Sequence, residues 1–160
     1  MFEIKPYSDH YNQAVIELIV SIQRDEYDMD ITADDQPDLN DVNGFYRRGA
    51  GNFWIATVGE EVVGTIALID IGNQQGAMRK MFVNKDYRGS QKGVAARLIT
   101  VLEDWAKEHG FNKIFLGTRS QFVAAHYFYA KYGYTEIAKA DLPASFPVMA
   151  VDDRFFVKAL

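Results

Sequence analysis

Between Met78 and Leu102 the chain reads MRKMFVNKDYRGSQKGVAARLITVL, and the residues there that could do chemistry are Arg88, Gly89, Ser90, Gln91, Lys92 and Gly93. Small and basic residues at this spacing, just ahead of a helix, make an anion site. The first N–H groups of a helix have no partner within it, and the positive end of the helix dipole lies there. Glycines at 89 and 93 let a phosphate approach the backbone with no Cβ in the way. The stretch is therefore expected to hold the pyrophosphate of a cofactor, and the strand before it the cofactor's reactive arm.

The elements that must position this turn follow from periodicity. Met78 to Val83 is extended and apolar-rich. From Gly93 onward Val94, Leu98, Val101, Leu102 and Trp105 recur at helical spacing, which predicts a helix ending near His109-Gly110. Upstream, Phe2–Tyr7 reads as a first strand. A helix capped by Ser8 or Asp9 follows to about Arg24, with Tyr11, Val15, Leu18 and Ile22 on one face. The next stretch is an acidic loop broken at Pro37, with a short helix over Leu39–Arg47. Phe53–Val58 and Val62–Ile71 form a hairpin about Gly59-Glu60-Glu61, and a turn over Gly72–Gly76 leads back into the opening strand. Downstream, Lys113–Thr118 is a strand parallel to the one before the long helix. Ser120–Tyr132 is a helix closed by Gly133. Tyr134–Ala138 is a strand, Leu142–Pro147 a loop, and Asp152–Lys158 the last strand. The sum is a mixed α/β sheet of about seven strands with helices on both faces, in one domain over residues 1–160.

Composition narrows the function. The chain has 160 residues, no cysteine and a net charge of −5. A thiol nucleophile, a disulfide scaffold and cysteine-ligated zinc are excluded, and a reducing, cytoplasmic setting fits. The acidic balance argues against nucleic acid as a partner. No apolar run is long enough to span a bilayer, and no secretory signal opens the chain. His10, His109 and His126 are scattered, so no metal site is expected, and His126 reads as a surface helix residue. The glycine turn lacks the Gly-Lys-Ser/Thr ending of a Walker loop, and the strand–turn–helix lacks the full G-x-G-x-x-G of dinucleotide binders. Charge is also segregated. From Asp25 to Tyr46 there are eight acids and no Lys or Arg; from Met78 to Arg97 there are six bases and one acid. The basic stretch would attract an anionic cofactor. The acidic one could steer a cationic amine, and Glu26, Asp30 and Asp35 are candidates on its account by sign alone.

A second segment, Phe122 to Tyr134, reads FVAAHYFYAKYGY. Taken alone, Tyr129 within this aromatic cluster is a core residue. Taken together, the two segments resemble the GNAT superfamily of acyl-CoA-dependent N-acetyltransferases. Gly93-Val94-Ala95 fills the last three places of the pyrophosphate motif [QR]-x-x-G-x-[GA], and Tyr87-Arg88-Gly89 precedes it. Ala125, Phe128, Tyr129, Gly133 and Tyr134 fill A-x-x-F-Y-x-x-x-G-[FY]. Two positions depart: Ser90 stands where the first motif opens with Gln or Arg, and Phe122 where an Asn precedes the second.

The resemblance implies acetyl-CoA as co-substrate and an amine acceptor, small molecule or peptide. It implies that the backbone of Met81, Phe82 and Val83 lines the pantetheine arm and that Arg88–Ala95 binds the diphosphate. Phe128 would pack against pantetheine. It also implies that Tyr129 is the general acid for the leaving sulfur. A phenol, with pKa near ~10, keeps its proton at neutral pH and can give it up as charge develops on sulfur. Many members of that superfamily are dimers, so the resemblance leaves a homodimer possible, while the sequence itself does not give the oligomeric state. The rival reading is a non-catalytic acyl-CoA sensor or interaction module.

Overall fold

The computed structural model describes residues 1–160. Seven strands form one sheet: β1 (Glu3–Pro6), β2 (Asn52–Val58), β3 (Glu61–Asp70), β4 (Gln75–Val83), β5 (Lys113–Thr118), β6 (Thr135–Ile137) and β7 (Arg154–Ala159). Their order is β1-β2-β3-β4-β5-β7-β6, and every pairing is antiparallel except β4–β5. That parallel pair is joined by α4 (Val94–Glu108), the crossover that parallel neighbours require. No helix is long and apolar enough to cross a membrane.

The two faces of the sheet have separate cores. On one, α4 and α5 (Val123–Lys131) cover Val63, Met78, Ile114, Leu116 and Phe156. The α4 side of that core is Val94, Leu98, Ile99, Leu102 and Ala106, an apolar stripe at 3.6-residue spacing. On the other face, α1 (Asn12–Ser21), α2 (Pro37–Asn40) and α3 (Val42–Tyr46) cover Phe53, Ile55, Val62 and Ala67. Beyond them the loop residue Phe146 closes over Ala77, Phe115 and Phe155.

Several expected boundaries move, each for a local reason. The first helix does not run regularly to Arg24. After Ser21 it widens into a π turn over Ile22–Glu26, with the Tyr27 amide donating to the Ile22 carbonyl five residues back. The single helix expected over Leu39–Arg47 is two, because the Asp41 carboxylate leaves the helical path to accept from the Gly44 amide at 3.0 Å. The helix expected from Ser120 begins at Val123. The Ser120 amide and hydroxyl both donate to Asp153, at 2.7 and 2.9 Å, which holds residues 119–122 in a turn. His126 is buried rather than on the surface. Arg154 Nη1 lies 3.3 Å from His126 Nδ1, so His126 Nε2 carries the proton and donates to the Arg119 carbonyl at 2.9 Å.

Two irregularities in β4 position the site. Ala67 faces Arg79 and Thr65 faces Phe82, so Ile66 alone opposes both Lys80 and Met81. This is a β-bulge, and Lys80 takes φ +56 to make it. Its carbonyl is held by the hydroxyl of fully buried Thr65 at 2.7 Å. Then, β4 and β5 pair only at Gln75–Ala77 with Lys113–Phe115. From Met78 to Val83 the edge of β4 facing β5 has no ladder partner, and the strands part as a wedge.

Candidate active site

The wedge opens into a cavity of about 170 Å³. An engineered cavity of ~150 Å³ suffices for a benzene-sized guest, so the space suits a small molecule rather than a folded partner. The walls come from every element around the split. Met78–Phe82 of β4 and Leu116–Thr118 of β5 form the floor. Ala125 and Tyr129 of α5 close one side, and Gln23 of the π turn with Tyr27 and Met29 just after it close the other. Arg119 and Phe122, with Met149, Val151 and Asp152 from the loop before β7, form the rim.

Tyr129 sits on the buried face of α5, 8% exposed, among the rings of Phe128, Tyr134 and Phe156. Its hydroxyl has no protein partner, although Tyr129 lines the cavity. Burial pushes the phenol well above its ordinary value, and neighbouring Tyr27 and Asp152 push it further. The proton stays on Tyr129 throughout the neutral range. Tyr134, by contrast, is committed: its hydroxyl donates to Glu103 at 2.9 Å, and Lys158 holds the other Glu103 oxygen at 2.8 Å. That network ties α4 to β7.

The turn over Gly89–Gly93 is an amide cradle. Gly89 and Gly93 have φ +102 and +77, and a Cβ built on either meets nothing within 4 Å. The amides of Gly89, Ser90, Gln91, Val94, Ala95 and Ala96 find no acceptor in the protein, while those of Lys92 and Gly93 are spent on the Gly89 carbonyl. Ser90, Gln91 and Lys92 are exposed, and the Val94 side chain is fully buried in the core, so Val94 offers only its amide. These donors and the Lys92 ammonium fit a diphosphate.

The structure uses Arg88 otherwise than expected. Its guanidinium grips Glu26 through two bonds of 2.5 and 2.9 Å and donates to the Val83 carbonyl at 2.7 Å. It fastens the π turn to the end of β4, and Glu26 is thereby taken out of any acceptor role. Asp35 accepts from the Thr32 amide and hydroxyl as a helix cap, and Asp30 is exposed. None of Glu26, Asp30 and Asp35 lines the cavity. Nor does Val83 or Phe128; Phe128 stacks near Tyr132 at 4.8 Å between centroids. Met81 and Phe82 do line it.

Sequence reasoning missed Asp152. Its carboxylate lies over Gly117: a Cβ there would be 2.5 Å from Asp152 Oδ2, so the glycine makes the room. Burial holds the Asp152 carboxyl above its ordinary range, opposed chiefly by the nearby Arg79 guanidinium. A glycine inside an apolar strand was the available signal, since it marks a close approach. Arg119 was also missed, and Arg79 was read only as one of six bases that would attract an anionic cofactor. Lys80, beside them, turns behind the wall, where Gln36 Oε1 accepts from it at 2.6 Å and Asp38 lies at 3.5 Å. Phe122, at the departing motif position, lies with its ring 4.1 Å from that of Tyr27 at the rim.

Comparison with known proteins gives the family and the fold. The model of the acetyltransferase (GNAT) family matches residues 16–134. An acetyltransferase of the GNAT family from Staphylococcus aureus Mu50 superposes with a TM-score of 0.93 at 38% identity, over 99% of both chains. The N-acetylaspartate synthetase of Xenopus tropicalis is 32% identical over 104 residues, which is 62% of this chain and 37% of that protein. The chain spans less than half the length of the curated relatives it matches. The PaiA N-acetyltransferase of Thermoplasma acidophilum, in complex with coenzyme A, shares the fold at a TM-score of 0.76 and 16% identity, over 100% of this chain and 99% of that one.

Proposed function

The chain belongs to the GNAT acetyltransferase family, and on that premise we propose that it transfers the acetyl group of acetyl-CoA to the amino group of a small acceptor. The observation that carries this reading is the unpaired edge of β4, running from a cradle of uncommitted amides to a cavity that Tyr129 lines.

Bound acetyl-CoA would supply an activated thioester. Gly89, Ser90, Gln91, Val94 and Ala95 would hold its diphosphate through backbone amides, with Lys92 adding charge. The unpaired backbone of Met81–Val83 would take the pantetheine amides as an added strand does, and its donors would polarise the thioester carbonyl. The acceptor amine arrives as an ammonium ion. Asp152, whose raised pKa makes it a better base than an ordinary aspartate, takes a proton from that nitrogen. The nitrogen would then bond to the carbonyl carbon, and as the carbon–sulfur bond breaks it would lose its second proton to water, which returns a proton to Tyr129 after the thiol has left. The Tyr129 hydroxyl, held protonated by burial, gives its proton to the departing sulfur.

Thiol release from acetyl-CoA on addition of a panel of small amines tests the proposal. Amine-dependent release is expected. Tight acetyl-CoA binding with no turnover on any amine would leave a non-catalytic acyl-CoA-binding module instead.

A further inference from the structure

The charge balance of the cavity is unlike that of the rest of the molecule. Four cations around the sheet are closed off by acids: Lys80 by Asp38, Arg88 by Glu26, Arg154 by Glu136 and Lys158 by Glu103. Arg79 is not. Its guanidinium, half-buried in the cavity wall, makes no side-chain hydrogen bond or close ion pair, and the carboxylate that feels it most is that of Asp152. Arg119 is also half-buried, and its only acceptor is the neutral amide oxygen of Gln121, at 2.7 and 3.2 Å. The acids nearby do not match them. Asp153 is held by Ser120, which leaves Asp152 as the one carboxylate lining the cavity beside two guanidinium groups.

These groups share one face of the sheet. Side chains alternate along a strand, so Arg79 lies on the face of Ala77, and Gly117 on the face of Phe115. Both of those belong to the small core beneath Phe146, and Asp152 sits directly over Gly117. Met78 and Leu116 point the other way, into the core under α4 and α5 with Tyr129. The cofactor's phosphates cannot be the missing anion. Arg79 precedes the bulge, whereas the amide cradle follows the end of β4. At ~3.3 Å per residue the strand alone puts more than ~10 Å between Arg79 and that cradle. The thioester end of the cofactor is neutral. With Asp152 the one carboxylate facing both Arg79 and Arg119, one half-buried positive charge goes unmatched, which is costly, and a carboxylate is the planar anion that a guanidinium fork best matches.

We propose that the acceptor is an aminocarboxylate, an amino acid or a close analogue, whose carboxylate is held by Arg79 and Arg119 while its amino group faces Asp152. This rests on the acetyl-transfer reading and narrows it. The net positive wall selects against plain polyamines, whatever the acidic Asp25–Asp41 segment does at long range.

The test uses the full chain and matched pairs of acceptors that differ only in the carboxylate, amino acids against their decarboxylated amines, read by thiol release. The binding of the matched N-acetyl products to the CoA-loaded protein is followed in parallel by calorimetry. At least one amino acid is expected to exceed its decarboxylated partner by about 100-fold in kcat/KM, its N-acetyl product binding correspondingly more tightly. Arg79→Met and Arg119→Gln, each on a different element, should each shrink that ratio by tenfold or more. Arg79→Lys should retain part of it. Circular dichroism and thermal melts confirm that each variant folds. Turnover of amines with no carboxylate preference would overturn the inference and leave acetyl transfer standing. No turnover at all, with Arg79-dependent binding of N-acetylamino acids, would sink the transfer reading and support the carboxylate site. Carboxylates that neither bind nor react would overturn the inference outright.

Discussion

Replacing Tyr129 by Phe is the sharpest probe of the chemistry, because the structure predicts that little but the proton is lost. The ring is packed against Phe128, Tyr134 and Phe156, and Phe keeps those contacts. The hydroxyl has no protein partner to orphan, so the melting temperature should stay the same or rise. General acid catalysis contributes ~10²- to 10⁴-fold, so turnover should fall by about 10²-fold or more, which is ~2.7 kcal/mol or more of transition-state stabilisation. The KM for acetyl-CoA should move little, because no other bond is removed. The pH profile adds a second reading. Burial raises the Tyr129 pKa, so the phenol stays protonated well past neutrality and imposes no falling limb there. Asp152 must be ionised to work. Its raised pKa puts the rising limb above the ordinary aspartate range, and activity is lost as pH falls through it. Thiol release under single-turnover conditions, across pH, measures both. Unchanged single-turnover rates in Tyr129→Phe would return Tyr129 to the core and refute the acid assignment.

Three further perturbations separate binding, proton transfer and scaffold. Gly93→Val places a β-branched residue at φ +77 in open space, so it should weaken acetyl-CoA binding through the strained cradle; an equal loss of acceptor discrimination would indicate misfolding instead. Gly117→Ala forces the Asp152 carboxylate to swing away, and Asp152→Asn removes its basicity; each should lower kcat/KM by about tenfold or more with the melt nearly unchanged, and full activity in both would remove Asp152 from the reaction. Thr65→Val orphans the Lys80 carbonyl at the bulge and should cost ~1–3 kcal/mol, read as a lower urea midpoint at constant slope; an unchanged midpoint would mean that the bulge needs no such prop.

What could be read from the sequence was what is encoded locally. The apolar stripe of α4 repeats within one helix, so Val94, Leu98 and Leu102 announced their own burial. Gly89 and Gly93 marked a turn open to close approach, and the structure gives both positive φ with nothing within 4 Å of a built Cβ. The bulge was invisible because the residue that takes φ +56 is a lysine, stabilised by a threonine fifteen positions earlier. The acids were misjudged for the same reason. Glu26 looked available until Arg88, 62 residues away, was seen to hold it. Asp152 stands beside Asp153 in a loop, and only the fold gives one to the cavity and the other to Ser120. Family motifs marked Tyr129 and the glycine turn, but the cations opposite them belong to no motif.

The parted strands also bear on which chains can pair with them. A naked strand edge ordinarily invites another chain to add on, the route to fibrils and swapped assemblies. Here the naked stretch, Met78–Val83, lies in the middle of the sheet rather than at its rim, with the other half of the sheet rising beside it. A slender, flexible guest can thread that slot; a second β-sheet, with its neighbouring strands and bulky side chains, is too broad to enter. The slot can thus keep backbone groups on offer to such a guest while denying them to a second sheet.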